Sequence, residues 1–276
     1  MHKDKITVPG FRASAMSVGL KKEKAPDLAM IVSETTTTAA AVFTTNMVKA
    51  APVLVSREHL RDGRIRAVIA NAGNANACTG EGGLINARKT AEMTAAALGV
   101  GTAEVVVAST GVIGAPLDMT RITPAIPELV RALEPEGIGR AAEAIMTTDS
   151  FPKISHYQGA AGGKPYRIVG VAKGAGMIMP DMATMLCFVM SDIAIEKEAL
   201  QNALSEGVAG TFNRISVDGD TSTNDMVLVM ANGFAKNDPL TAREHQDFRE
   251  GLTSVMAGLA GMIVKDGEGA TKVIHV

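Results

Sequence analysis

Two continuous apolar runs, Met185–Met190 and Met226–Ala231, constrain this chain more than any other feature. Neither leaves a polar face for water, so each fits a strand covered on both sides, as in the middle of a layered α/β body. Shorter β-branched runs at Ala29–Val32, Ala39–Phe43, Arg66–Ala70 and Glu104–Ala108 read as further strands. Gly159, Gly162, Gly163 and Pro165 supply turn chemistry for a hairpin over Tyr157–Val171.

Helical spacing appears at Leu84–Leu98, Glu196–Val208 and Met119–Leu133, the last divided or shortened by Pro124 and Pro127. Thr241 with Glu244 is a capping-box signal that opens a helix through about Val264. Its buried side would carry Phe248, Leu252, Val255, Leu259 and Met262, with Gly267 as the stop. A final strand is expected at Thr271–Val276. The fold class is therefore α/β, a layered body of mixed β-sheets with flanking helices.

The chain's 276 residues are 46% hydrophobic, enough for one large domain or two tightly joined ones without disulfide staples. Lys and Arg number 27 against 29 for Asp and Glu, so nucleic acid and anionic membranes find no basic footprint. Cys78 and Cys187 form no CxxC pair and read as reduced, buried thiols. The first fourteen residues, MHKDKITVPGFRAS, lack the apolar core of a signal peptide, and no stretch reaches the length of a membrane span, which points to the cytoplasm. His2, His59, His156, His245 and His275 show no ligand spacing, so no metal is expected.

The segment with most chemistry is KGAGMIMPDMATML, residues 173–186, a glycine-loosened loop running into an apolar strand with a hydroxyl at the junction. A threonine hydroxyl needs a base to act as a nucleophile near neutral pH. Its own α-amine, with an unperturbed pKa of about 7.7–8.0, can be that base once the preceding peptide bond is broken. Ala183 leaves that bond uncrowded for an N-to-O acyl shift from Thr184, followed by hydrolysis. A threonine at a strand start is otherwise an ordinary structural residue.

The segment resembles the self-processing motif of the ornithine acetyltransferase family of arginine biosynthesis, also described as glutamate N-acetyltransferases. Further segments resemble that family in the same order: PGFRASAMSVGLK at 9–21, AAVFTTNMVKAAPV at 40–53, NAGNANACTGEGG at 71–83 and STGVIG at 109–114. MTTDSFPK at 146–153, DGDTSTNDMVLVMANG at 218–233 and KDGEGATK at 265–272 complete the series. The resemblance implies a cut between Ala183 and Thr184, giving chains 1–183 and 184–276, with Thr184 as nucleophile.

It also implies Thr110 and Gly111 as oxyanion donors, and Lys173, Glu268 and either Thr147 or Thr148 at the substrate. The implied reaction is ping-pong: acetyl passes from N-acetylornithine to Thr184 and then to glutamate, with no bound cofactor and with acetyl-CoA as a possible second donor. The two cleaved chains would assemble as a heterotetramer of two α and two β. Family chains continue past residue 276, where their tail supplies an asparagine and a hydroxyl residue to the substrate, so a fragment or a companion chain is expected.

Other readings differ by class. An N-terminal-nucleophile amidohydrolase or aminopeptidase would share the self-cleavage but pass the acyl group to water. An inactive truncated subunit would form no acetyl adduct. The loop Asn71–Gly80 lacks a phosphate-binding glycine pattern, and Asp218–Asp225 lacks the glycine and twelfth-position acid of a calcium loop, which leaves a turn before a buried strand.

Overall fold

The computed structural model describes residues 6–22, 24–179 and 185–276. Both apolar runs are strands, β7 (Leu186–Ser191) and β8 (Met226–Ala231), and every residue in each is buried. They pair in parallel from Leu186 opposite Met226 to Ser191 opposite Ala231. Their alternating side chains enter two different cores. Cys187, Val189, Val227 and Val229 point into one, and Phe188, Met190, Leu228 and Met230 into the other. That double cover explains the unbroken apolar pattern.

The two runs expected at Ala29–Val32 and Ala39–Phe43 belong to one sixteen-residue strand, β2 (Leu28–Phe43). The polar stretch Ser33–Thr38 stays extended because threonine is β-branched, and a register shift between Val32 and Thr37 accommodates it. The first part of β2 pairs with β1 (Phe11–Met16), its last six residues with β8. It also pairs with β3 (Arg64–Asn74), which runs parallel to β4 (Val105–Val112).

On the other side, β6 (Lys164–Lys173) joins β7 antiparallel and forms the expected hairpin with β5 (Lys153–Ala161). The hairpin turns through Gly162 and Gly163, at φ +57° and +74°, the positive pair that a two-residue turn matching the strand twist requires. The described strands thus form one mixed sheet in the order β4-β3-β2-β8-β7-β6-β5, with β1 on β2.

Helices cover both faces. The first, α1 (Ala51–His59), and α2 (Gly80–Leu98) and α3 (Met119–Arg131) enclose a core with Met30, Ile69 and Val107. Of the two outcomes expected from Pro124 and Pro127, α3 shows the shortening, ending two residues before Leu133, and is not divided. Ile122, Ala125, Ile126 and Leu129 form its buried stripe, and burial of about 1.5–3 kcal/mol per large side chain offsets the local cost of the prolines.

The short α4 (Ile138–Ala144) packs against the second core, while α5 (Lys197–Gly210) and α6 (Ala242–Lys265) cover β5 to β8. Thr241 caps α6 in the expected box with Glu244. Ile263, not Met262, completes the buried stripe of α6. Residues 271–276 are exposed and form no strand, since a strand needs a partner for its backbone groups. Cys187 is buried, but Cys78, at φ +56° in the loop before α2, is exposed rather than buried as expected.

Candidate active site

The ends of β4 and β6 open onto a cleft of about 710 Å³. Its wall includes Thr110, Gly111, Thr147, Thr148, Lys173 and Glu268, which come from four separate stretches of sequence. Ala183 and Thr184 lie outside the described residues.

Thr110 and Gly111 occupy the end of β4 beside Gly73 of β3. Gly111 adopts φ +130°, and a side-chain carbon there would meet the Gly73 carbonyl carbon at 2.3 Å. Glycine is therefore required by the close approach of two parallel strands, and it leaves bare backbone facing the cleft. Asn224 fixes this corner, donating from Nδ2 to the carbonyls of Ala75 at 2.6 Å and Ser109 at 2.9 Å.

Lys173 is the last residue of β6 and is only 3% exposed, not a solvated loop lysine. Its Nζ donates to Thr110 Oγ1 at 3.4 Å, so the cleft's cation and the proposed oxyanion corner are in contact. Burial pushes the Lys173 pKa down; the Asp149, Asp225 and Glu268 carboxylates oppose this, and the Lys153 ammonium adds to it.

Three loops finish the wall. Glu268 is tied by its N–H to the Ala175 carbonyl at 2.9 Å, and its carboxylate lies against Gly176. Asp218 accepts the N–H groups of Met177 at 2.5 Å and Ile178 at 2.8 Å, which holds Met177 at φ +60°. Of the two threonines, Thr147 is half-buried and Thr148 exposed, and both reach the cleft.

Sequence reasoning missed the charges behind this wall. Lys153 Nζ is buried between Asp149 Oδ1 at 2.7 Å and Asp266 Oδ2 at 2.6 Å. Burial works against ionisation of Asp149, but Lys173, Lys153 and the N–H groups of Gly174 and Thr147 outweigh it and hold the carboxyl below the usual range. The available signal was an Asp and a Lys four apart, within MTTDSFPK, at the start of an otherwise half-buried strand. Asp225 was also missed: burial pushes its carboxyl well above the usual carboxylate range.

A profile described as the ArgJ family matches residues 12–276. The "arginine biosynthesis bifunctional protein ArgJ" of Syntrophotalea carbinolica is 50% identical over 273 residues, 98% of this chain and 69% of that protein. The crystal structure of the ArgJ protein from Bacillus halodurans superposes with a TM-score of 0.61 at 42% identity, covering 64% of this chain and 92% of that one. The ornithine acetyltransferase of Mycobacterium tuberculosis, solved with ornithine, gives 0.55 at 39% identity, covering 63% and 92%. A profile match from strand β1 to residue 276, joined to half-identity along nearly the whole length, assigns the chain to the ArgJ family.

Proposed function

We propose that this chain is an ornithine acetyltransferase of arginine biosynthesis that moves acetyl from N-acetylornithine to glutamate. The observation that carries the reading is the convergence of Thr110, Gly111, Thr147, Thr148, Lys173 and Glu268 on one cleft, with Lys173 touching Thr110. A buried cation, a glycine-bared strand end and a carboxylate together suit an acyl amino acid, which has a carbonyl oxygen that becomes negative and charged ends to orient.

In this reading Thr184 Oγ first attacks the Ala183 carbonyl; the C–N bond breaks, which leaves an ester and frees the Thr184 α-amine, and water then hydrolyses the ester to release the Thr184 hydroxyl and the Ala183 carboxylate. That amine then takes the hydroxyl proton as Oγ attacks the acetyl carbonyl. The oxyanion rests at Thr110 and Gly111, the amide C–N bond breaks, and the proton leaves with ornithine. Glutamate's amine attacks the acetyl ester in the second half, and the threonine hydroxyl is restored. Glu268 is the partner for the substrate's amino end. The two solved relatives support the cut: each is matched over 92% of its chain yet covers 64% or 63% of this one, close to the 183 of 276 residues, about 66%, that precede Thr184.

Intact mass with labelled N-acetylornithine tests this. Wild type and Thr184→Ser should show a chain cut before residue 184 that carries acetyl, and Thr184→Ala should remain whole and unacetylated. Cleavage of Thr184→Ala at this bond would end the proposal. Release of free acetate without transfer to glutamate would favour an amidohydrolase, and absence of any adduct an inactive subunit. Replacing the donor with acetyl-CoA in the same assay shows whether a second donor is used.

A further inference from the structure

Behind the cleft wall lies a cluster of buried charge that the proposed reaction leaves unused. Asp149 is at its centre. Oδ1 accepts the Lys153 ammonium and the Gly174 N–H, each at 2.7 Å, and Oδ2 accepts the Thr147 N–H at 3.0 Å. Lys153 continues to Asp266 Oδ2, which also accepts the Ser150 N–H at 2.9 Å. The Asp149 and Lys153 side chains are wholly buried and that of Asp266 is 4% exposed.

One carboxylate thus ties together the turn bearing Thr147 and Thr148, the loop after Lys173 and, through Lys153, the end of α6 that leads to Glu268. These are the stretches that bring the cleft residues into one wall. The charges also balance: two carboxylates, Asp149 and Asp266, offset two ammonium groups, Lys153 and Lys173. A buried ion is stable only with such compensation, and Lys173 has only a long contact to a neutral hydroxyl on its Thr110 side.

We propose that Asp149 is the positioning residue of the cleft, setting the register of three of its walls and the charge held by Lys173. The functional meaning of this rests on the acetyl-transfer reading above, but the physical claim does not. Lys173 is faced by the Asp149 and Glu268 carboxylates, by the Asp225 carboxyl, whose ionisation burial opposes, and by the Lys153 ammonium. Removing Asp149's charge takes away the foremost of the groups that favour the ammonium, so Lys173 must lose its proton more readily. Removing Lys153's charge takes away the opposing cation and must do the reverse. A residue that only braced the fold would produce neither change.

The test is an NMR titration of lysine Nζ in ¹⁵N-lysine protein, with the Lys173 signal assigned by its loss in Lys173→Met. Asp149→Asn should move the Lys173 midpoint to lower pH by about one unit or more. Lys153→Met should move it to higher pH, and this variant carries the test if Asp149→Asn fails to fold. Asp266→Asn, which loses the contacts to Lys153 and Ser150, should lower thermal stability and shift the Lys173 midpoint less than Asp149→Asn does. In acetyl transfer, the alkaline limb of kcat/KM should follow the midpoint in each variant. Coincident titrations for wild type and Asp149→Asn, or an equal shift in Asp266→Asn, would overturn the proposal. Wild type that titrates as expected but transfers no acetyl would overturn the acetyl-transfer reading alone.

Discussion

Asp225 holds Met185 by its backbone N–H: Oδ1 accepts at 2.8 Å, while the equally buried Oδ2 has no hydrogen-bond partner among the described residues. A carboxyl at the mouth of β8 therefore fixes the residue that directly follows the proposed nucleophile. The two facts set a pH signature for the fold.

Burial raises the Asp225 pKa, against the Met185 N–H, the Ser222 hydroxyl and the Lys173 ammonium. The folded chain keeps this proton at pH values where an unfolded aspartic acid, with a pKa of about 3.9, has lost it. The unfolded state then binds fewer protons, so the group's stabilisation is complete below about pH 4 and is lost as pH rises towards the folded value. Asp225→Asn has no such proton. Its stability relative to wild type should improve between pH 4 and pH 8 in paired urea titrations, and a difference independent of pH would show that Asp225 is ionised in the fold.

Thr110→Ala removes the hydroxyl that meets Lys173 while leaving β4 paired. Acetyl transfer should fall by about 10²-fold or more with a wild-type circular dichroism spectrum. Unchanged turnover would take Thr110 out of the mechanism.

Gly176→Ala isolates Glu268. The added carbon would fall 2.3 Å from Glu268 Oε2, and the flexible end of that side chain must move aside. Gly176 is not in the left-handed region, so the backbone tolerates the change. KM should rise by about tenfold with kcat nearly kept, since binding common to ground and transition states is what is lost. A change in kcat alone would place Glu268 in the chemistry instead.

Gly111→Ala is the contrasting case, because its new carbon meets backbone. Strain at that φ costs about 1–3 kcal/mol before the clash is counted, and each kcal/mol lowers Tm by roughly 2–4 °C in a chain of this size. Calorimetry should show a loss of several degrees, and an unchanged Tm would mean that β3 and β4 can part without cost.

Much of this arrangement was legible in the sequence where a local pattern had a single physical cause. The unbroken apolar runs specified β7 and β8, Gly162 and Gly163 specified the hairpin turn, and Thr241 with Glu244 specified the start of α6. Where two causes compete, only the fold decides between them. The prolines of α3 cost local stability that its buried stripe outweighs, and the polar middle of β2 looks like a break until β3 and β8 are seen to share the strand. Six cleft residues were recoverable because they lie in family-like motifs. Asp149, Lys153 and Asp225 were not, because a buried charge looks like a solvated one until its partners are brought together from more than a hundred residues away, as Asp266 is for Lys153.

The position of β8 and β7 between β2 and β6 also bears on what a cut before Thr184 would leave behind. Counted by origin, the sheet would read first piece, second piece, first piece, with the later fragment's two strands zipped on both sides into the earlier one. To leave, that fragment would have to open two antiparallel ladders and expose two cores at once, which amounts to global unfolding. The halves would behave as a kinetically trapped pair, and their lifetime together would be set by the unfolding rate, independent of dilution.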